Sequence, residues 1–298
     1  MAISALKPIS VKSNKTRGSK LNQAIRKIII IGGTSGIGLA LAQAHLADGW
    51  QVCVVGHSSH KIKEINQLYP QIQTVYCDLT NRRERNELFK QLENDQLQSK
   101  QLPFKQVSSK QVSSKQFSRL IYCAGWYINE RVSTLDRQSS DQMLAINLQA
   151  FQETFSWASE QLKSYKAAHQ QPAELITIAS IAGLLDYPYS SLYAQSKRAM
   201  MSTASAYRTA LASYDIDVIT IAPGYINTAM LRSLNDGDAS HKPFIISEKQ
   251  AVGHILKAIT DNTALSVFPI KMKFLVKGLS LLPKPILGWL MLKNLDKK

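Results

Sequence analysis

The sequence has few cysteines, and their positions exclude two kinds of site. Its 298 residues include only three, Cys53, Cys77 and Cys123, which are widely spaced and odd in number. Neither a metal-ligand cluster nor a disulfide framework fits that spacing, so we expect no metal site. All three lie in apolar, strand-like stretches, which indicates buried, reduced thiols in a reducing compartment.

Acidic residues are scarce at both ends of the chain. The whole chain carries 36 Lys and Arg against 21 Asp and Glu, a formal net charge of +15. Residues 1–30 contain seven basic residues and no acid, and residues 265–298 contain seven lysines and one acid, whereas residues 31–264 are close to neutral. A nucleic-acid-binding protein more often carries a basic face on its folded domain. The distribution therefore argues against nucleic acid as a partner.

Long apolar runs are absent as well. No apolar segment follows Met1 and no run of eighteen apolar residues occurs, so we expect a cytoplasmic protein without a spanning helix. Residues 1–26 have the composition of a disordered basic tail, with a transit peptide as the alternative. Residues 265–298 mix leucines, Phe274 and Trp289 with lysines, as in a helix lying in an anionic membrane surface. The alternative is a tail that packs on the domain or on a second subunit.

Between the basic ends, short apolar runs alternate with helical patterns. The run KIIII at 27–31 is followed by similar runs near residues 51, 72, 119, 174 and 216. Continuous apolar strands alternating with helices are typical of a parallel sheet covered on both faces. We predict an α/β fold, a doubly wound parallel sheet in three α/β/α layers over 27–264, followed by an apolar basic helical segment at 265–298. The KQVSS repeat makes residues 99–118 a low-complexity loop insertion.

The stretch GGTSGIG follows the first strand and opens the first helix. Gly32, Gly36 and Gly38 are spaced G-x-x-x-G-x-G, which lets a pyrophosphate approach bare backbone at a helix N-terminus. A glycine-rich turn without a ligand is the alternative. About twenty residues on, where an acid would hold the ribose of NAD, the chain has His57 and Ser58. This favours NADP over NAD.

Several motifs, in this order, resemble the single-domain branch of the short-chain dehydrogenase/reductase family. Besides the glycine turn they are CDL with Asp78, YCAG at 122–125, AINLQ with Asn147, ASIAG with Ser180, YAQSK with Tyr193 and Lys197, and PGYINT at 223–228. Tyr122 and Cys123 stand where the family has two asparagines. The spacing of Tyr193 and Lys197 puts both side chains on one helix face, but by itself it is weak evidence for a catalytic pair. The ordered series of motifs is what makes the pair a specific signal.

The resemblance implies a Rossmann-type, NAD(P)-dependent oxidoreductase that transfers hydride between the cofactor and a carbonyl or alcohol substrate. Tyr193 would be the general acid, Lys197 would lower the pKa of that phenol and grip the nicotinamide ribose, Ser180 would orient the carbonyl, and Asn147 would hold a water. The expected cofactor contacts are Gly32, Thr34, Ser35, Gly36, Ile37, Gly38, His57, Ser58, Asp78, Ala124, Gly125, Tyr193, Lys197, Pro223, Gly224, Ile226 and Thr228.

The family's substrate lid corresponds to residues 229–247, whose apolar side chains suggest an apolar or lipid-like carbonyl compound. Tyr187 and Tyr189 are expected near the mouth. The resemblance also implies a homodimer or homotetramer. A non-catalytic cofactor-binding or scaffold protein on the same fold is the alternative function.

Overall fold

The computed structural model describes residues 26–94, 116–128, 135–188 and 190–293. The expected basic tail (apart from Arg26), most of the expected loop insertion and Tyr189 lie outside the described residues.

The described residues form one sheet of seven parallel strands. The strands are β1 (Lys27–Ile31), β2 (Gln51–Gly56), β3 (Gln73–Tyr76), β4 (Arg119–Tyr122), β5 (Ala173–Ile178), β6 (Ile216–Pro223) and β7 (Leu265–Phe268). Their order across the sheet is β3-β2-β1-β4-β5-β6-β7. The order reverses between β1 and β4, and such a switch point opens a crevice at the carboxyl ends of the strands.

Helices cover both faces of this sheet. They are α1 (Gly36–Ala47), α2 (Ser59–Leu68), α3 (Arg82–Asn94), α4 (Arg137–Leu144), α5 (Phe151–His169), α6 (Leu192–Leu211), α7 (Ala229–Ser233), α8 (Glu248–Thr260), α9 (Ile270–Ser280) and α10 (Lys284–Lys293). A π-helical turn, Ala145–Ala150, joins α4 to α5, and a 3₁₀ turn, Ile181–Leu184, follows β5.

The two faces of β1 show how the sequence builds three layers. Successive side chains of a strand point to opposite faces. Ile28 and Ile30 belong to a core with α1, α2 and α8, whereas Ile29 and Ile31 belong to a second core with α3, α5 and α6. The β-branched run KIIII is therefore buried on both sides, and the predicted doubly wound, three-layer fold is confirmed.

The carboxyl-terminal part of the chain begins inside this sheet. The sequence analysis assigns residues 265–298 to an added segment, but β7 pairs in parallel with β6, Thr220 opposite Leu265 and Pro223 opposite Phe268. The four-residue strand is too short to stand out as an apolar run. Helices α9 and α10 follow it and pack through Val276 and Leu287 on Leu185. Within the described ranges, no helix is long and apolar enough to cross a membrane.

Candidate active site

The candidate site lies where the carboxyl ends of β1, β4, β5 and β6 meet. The ladders align Ile31 with Tyr122, Tyr122 with Thr177, and Ile178 with Ile221. Four parts of the candidate site follow these strand ends directly: the glycine turn, the 123–127 loop, Ser180 and the 223–228 segment. Motifs as far apart in sequence as Gly32 and Thr228 therefore share one edge of the sheet.

The glycine turn is packed against the loop after β4. Gly32 has φ +82, a left-handed conformation that favours glycine. A Cβ on Gly32 would lie 2.6 Å from the Ala124 backbone nitrogen, so no side chain fits there. The Gly32 and Gly33 N–H groups both donate to the Val55 carbonyl, at 2.9 and 3.1 Å. The predicted turn and the Ala124–Gly125 backbone are thus brought together.

The amino end of α1 is left open toward the crevice. Its N-cap residue, Ser35, makes no side-chain capping hydrogen bond, and the first turn contains no acid. Gly36 has φ +52, and the nearest atom to a Cβ there would be Thr228 Cγ2, at 3.9 Å. The caps of α2 and α8, Ser58 and Ser247, do accept such bonds. A helix start with bare N–H groups and open space fits a phosphate group.

The end of β2 carries the residues expected near an adenosine ribose. His57 is exposed, and Ser58 Oγ accepts a hydrogen bond from the Lys61 N–H at 3.4 Å. Thr34 is buried in the glycine turn and packs closely on Gly56. A Cβ on Gly56 would overlap the Thr34 hydroxyl. The two residues that follow β2 directly are thus His57 and Ser58, neither of them an acid.

Asp78 follows β3, the strand next to β2. Its Oδ1 accepts hydrogen bonds from the Thr80 N–H and hydroxyl, at 2.9 and 2.8 Å. These bonds fix the carboxylate at the carboxyl edge of the sheet. Two strand spacings separate β3 from β1, which puts Asp78 roughly 10 Å from the glycine turn.

Ser180 and Tyr193 meet on the other side of the switch point. Ser180 begins the 3₁₀ turn after β5 and accepts a hydrogen bond from the Ala182 N–H at 3.2 Å. Tyr193 lies in the first turn of α6, whose N-cap, Ser191, accepts from the Ala194 N–H at 3.1 Å. The two side chains are hydrogen-bonded to each other. The sequence prediction that they converge is supported by this contact.

The pKa of the Tyr193 phenol is raised to about 12, chiefly because burial desolvates it. The hydrogen bond with Ser180 works in the opposite direction, and the neighbouring Tyr127 phenol adds to the rise. The Tyr127 ring packs edge-on against the Tyr193 ring, with centroids 4.8 Å apart. The phenol is therefore protonated at neutral pH. The prediction that Lys197 lowers the pKa of this phenol is therefore wrong for its net direction, because burial raises the pKa.

Lys197 is buried behind this phenol. Burial lowers the pKa of its ammonium to about 8, and the Cys123 thiol partly offsets that shift. Its Nζ lies 5.8 Å from the centroid of the Tyr193 ring and donates, at 3.4 Å, to the Ile178 carbonyl. A Cβ on Gly125 would lie 3.1 Å from this nitrogen, so the glycine leaves room for the ammonium.

Asn147 is fully buried on the π-helical turn and clamps the loop after β4. Its Oδ1 accepts from the Trp126 N–H, and its Nδ2 donates to the Trp126 carbonyl, both at 2.9 Å. The second Nδ2 hydrogen goes to Ser196 Oγ at 3.1 Å. Ser196 in turn donates to the Tyr193 carbonyl at 2.8 Å. Both amide hydrogens are thus used within the protein, so the side chain positions the loop and the start of α6.

The segment after β6 closes the crevice opposite the glycine turn. The Gly224 N–H donates to the Phe268 carbonyl at 2.8 Å, and a Cβ on Gly224 would press on Met272 and Pro269 at 3.3 Å. Ile226 is buried and bridges to Ile246, and Thr228 caps α7. Two predicted contacts remain: Ile37 packs from α1 against the core, and Gly38 lies so close to the glycine turn that a Cβ on it would overlap the Gly32 carbonyl oxygen. The residues that are predicted to bind the nucleotide thus lie along one crevice.

Three site residues were missed by the sequence analysis. Trp126 and Tyr127 follow the YCAG motif, and Ser196 lies inside YAQSK. Trp126 and Tyr127 could have been predicted from their position directly after the YCAG motif. Nothing in the sequence, however, indicates that Trp126 pairs with Asn147. The two residues that replace the family's asparagines also have defined places: the Tyr122 hydroxyl donates to the Ile146 carbonyl at 2.6 Å, and Cys123 lies near Lys197.

The expected lid region carries exposed apolar side chains. Met230 on α7 is 56% exposed, and Leu234 and Phe244 are also exposed. Tyr187, expected near the mouth, packs with the cluster formed by the 3₁₀ turn and the C-terminal helices. Exposed apolar side chains therefore lie on the segment that follows β6.

Comparisons with known proteins agree with this geometry. The model of the short chain dehydrogenase family matches residues 26–239. An uncharacterized oxidoreductase of Staphylococcus aureus strain MW2 is 24% identical over 247 residues, covering 82% of this chain and 95% of that protein. The 3-oxoacyl-[acyl-carrier-protein] reductase MabA of Mycobacterium bovis is 25% identical over 221 residues, covering 74% and 77%. The crystal structure of a short chain dehydrogenase from Burkholderia cenocepacia in complex with NADP has a similar fold, with a TM-score of 0.66 at 19% identity, covering 86% and 93%.

Proposed function

The chain belongs to the short-chain dehydrogenase family, and we propose that it is an NADP-dependent oxidoreductase that interconverts a carbonyl compound and the corresponding alcohol. The observation that carries the proposal is the hydrogen-bonded Ser180–Tyr193 pair, with the buried Lys197 ammonium behind it, at the edge of the sheet where the glycine turn opens. A scaffold protein would not need these three groups close together at that edge.

Tyr193 is the proposed general acid. With a pKa raised to about 12 the phenol holds its proton at neutral pH and can give it to a developing alkoxide. Ser180 already shares a hydrogen bond with that hydroxyl, so a carbonyl oxygen placed between them would meet two hydroxyl groups. The pair thus orients the carbonyl and supplies its proton.

Lys197 is proposed to stabilise the phenolate that remains after this transfer. An ammonium with a pKa of about 8 is mostly charged at neutral pH, and burial leaves its field little screened. Asn147 acts indirectly, by holding Trp126 and, through Ser196, the Tyr193 backbone. Lys197 is also proposed to contact the nicotinamide ribose.

The crevice fits a dinucleotide because the turn excludes side chains and the α1 start offers bare N–H groups. We assign the pyrophosphate to residues 32–38, the 2′-phosphate to His57 and Ser58, the adenine to Asp78, and the nicotinamide half to Ala124, Gly125 and the 223–228 segment. When bound, the nicotinamide supplies or accepts the hydride. NADP in the Burkholderia cenocepacia protein and the missing acid after β2 support NADP over NAD.

The proposed substrate is apolar or lipid-like. The name of the Mycobacterium bovis relative describes a 3-oxoacyl substrate, and exposed apolar side chains lie on the segment that follows β6. We further propose a cytoplasmic homodimer or homotetramer formed through the helices that carry Asn147 and Tyr193, with contact to a membrane surface through the C-terminal segment and no nucleic-acid partner.

A carbonyl screen tests the activity. The full chain is mixed with short-chain and long-chain ketones, and loss of NADPH or NADH absorbance is followed in parallel. We expect turnover that is faster with NADPH and with the longer, apolar ketones. Binding of NADPH without oxidation by any member of a broad panel would favour the scaffold alternative.

His57→Asp tests the 2′-phosphate assignment. A carboxylate at this exposed position would repel the phosphate, so kcat/KM with NADPH should fall at least about tenfold relative to NADH. His60→Asp, an exposed histidine one turn further along the chain, is the matched control and should leave the ratio unchanged. Equal ratios for the two variants would contradict the assignment.

A further inference from the structure

Helices α9 and α10 present an unusually apolar outer surface. Sixteen large hydrophobic side chains among the described residues are exposed, and six of them lie within the twenty residues 270–289. They are Ile270 (60% exposed), Phe274 (64%), Leu275 (46%), Leu281 (79%), Ile286 (51%) and Trp289 (60%). We call these residues, with the lysines between them, the C-terminal face. An apolar patch of this kind marks an interaction surface.

The C-terminal face is distinct from the side of α9 and α10 that packs on the domain. The inner side of the same two helices is buried: Met272, Val276 and Leu287 are each under 10% exposed. Val276 and Leu287 pack on Leu185, and a Cβ on Gly288 would already press on Pro188 at 3.3 Å. Because the inner side holds the helices on the domain, the outer side chains point away from it.

The charge on the C-terminal face has one sign. Residues 265–293 contain Lys271, Lys273, Lys277, Lys284 and Lys293 and no acid at all. Of these lysines only Lys284 has a carboxylate partner among the described residues, Asp186 at 2.5 Å. The Lys293 ammonium lies 4.7 Å from the centroid of the Trp289 ring, so an aromatic ring and a cation lie side by side on this face.

This charge pattern selects among the possible occupants. A symmetric contact between two copies of the chain would place the same face against itself, lysines against lysines, with no acid to compensate. No described helix is long and apolar enough to span a bilayer. A surface that is apolar at its centre, rich in lysine and free of acids is complementary to anionic headgroups over acyl chains.

We propose that the C-terminal face docks on the surface of an anionic bilayer, with Phe274, Leu281 and Trp289 entering the headgroup region and Lys273 and Lys277 contacting anionic headgroups. The inner side of these helices packs on the segment that follows Ser180. Docking therefore puts the substrate side of the candidate site next to the membrane. The docking itself does not depend on the proposed catalytic activity.

The test is co-sedimentation of the full chain with phosphatidylcholine vesicles that contain or lack phosphatidylserine. We expect binding to the anionic vesicles, and weaker binding at high salt. Leu281→Ser should lower the partition coefficient about tenfold by removing apolar contact. Lys273→Gln with Lys277→Gln should lower it about twenty-five-fold, because each lysine contributes about fivefold.

Matched control variants distinguish binding through the C-terminal face from nonspecific binding to vesicles. Leu68→Ser removes a leucine that is 59% exposed on α2, and Lys90→Gln with Lys249→Gln removes two exposed lysines elsewhere. These variants should bind vesicles as the unsubstituted chain does, and circular dichroism should show all variants folded. No binding to anionic vesicles would overturn the proposal, as would equal losses in test and control variants. So would Leu281→Ser dissociating an oligomer in sedimentation velocity while vesicle binding is unchanged.

Discussion

His45 lies in a buried polar network at the amino end of the sheet, opposite the candidate site. Its Nε2 is 2.8 Å from an Arg119 nitrogen, and its Nδ1 is 2.8 Å from the Leu41 carbonyl oxygen. Arg119 also donates twice to Glu174, at 3.0 and 2.8 Å. A guanidinium can only donate, so Nε2 must accept and Nδ1–H must donate. This geometry requires a neutral imidazole.

The pKa of His45 is accordingly lowered from 6.5 to about 4, first by burial and then by the Arg119 charge, with smaller opposing effects of Leu41 and Asp48. The unfolded chain takes up a proton below pH 6.5, whereas the folded chain resists it. The stability due to neutral His45 is therefore complete above pH 6.5 and is lost as the pH falls toward 4. The free energy of unfolding should drop by about 2 kcal/mol between pH 7 and pH 5 from this residue.

Urea unfolding of the unsubstituted chain and of His45→Gln, at pH 7 and pH 5, measures this contribution. Glutamine keeps a donor and an acceptor but does not titrate, so the stability gap between the two proteins should shrink by about 2 kcal/mol at pH 5. Other titrating groups are common to both and cancel. His60→Gln, at an exposed position, should show no such change. A gap that is the same at both pH values would refute the neutral-imidazole network.

Three other variants have defined outcomes. Gly32→Ala forces a left-handed φ on alanine and a Cβ 2.6 Å from the Ala124 nitrogen, so the free energy of unfolding should fall by at least about 2 kcal/mol and NADPH binding should be lost; unchanged melting would contradict the packed turn. Gly253→Ala, within α8 and with nothing within 4 Å, should instead stabilise by about 0.5–1 kcal/mol in the same melts, and a loss would show a hidden contact. Asn147→Ala leaves the Trp126 N–H and carbonyl without their partner, so kcat should fall at least about tenfold while Kd for NADPH stays close to that of the unsubstituted chain; a full kcat would remove the positioning role.

The sheet could be predicted from sequence because its longer strands are mostly apolar and are followed by helical patterns. KIIII, for example, buries alternate isoleucines on both faces of the sheet. β7 was not predicted because only Phe268 of its four residues is buried, Leu265 being exposed and the other two half-buried. Its pairing with β6 is also a long-range contact that local patterns do not encode.

Residue identity and spacing predicted which side chains meet, but not their electrostatics. Tyr193 and Lys197 lie four residues apart on α6, as expected, yet the phenol pKa rises because burial depends on the packing of Tyr127 and on the loop after β4. The clamp of Asn147 on Trp126 likewise depends on the π-helical turn, whose extra residue per turn rotates the amide toward that loop.

Tyr193→Phe tests whether the Tyr193 hydroxyl is the general acid, because it removes that hydroxyl and keeps the ring that packs on Tyr127. NADPH binding should be measured by fluorescence titration, and turnover with a ketone from the screen. If the Tyr193 hydroxyl supplies the proton, turnover should fall at least about a hundredfold with Kd for NADPH nearly unchanged. Turnover close to that of the unsubstituted chain would show that another group supplies the proton.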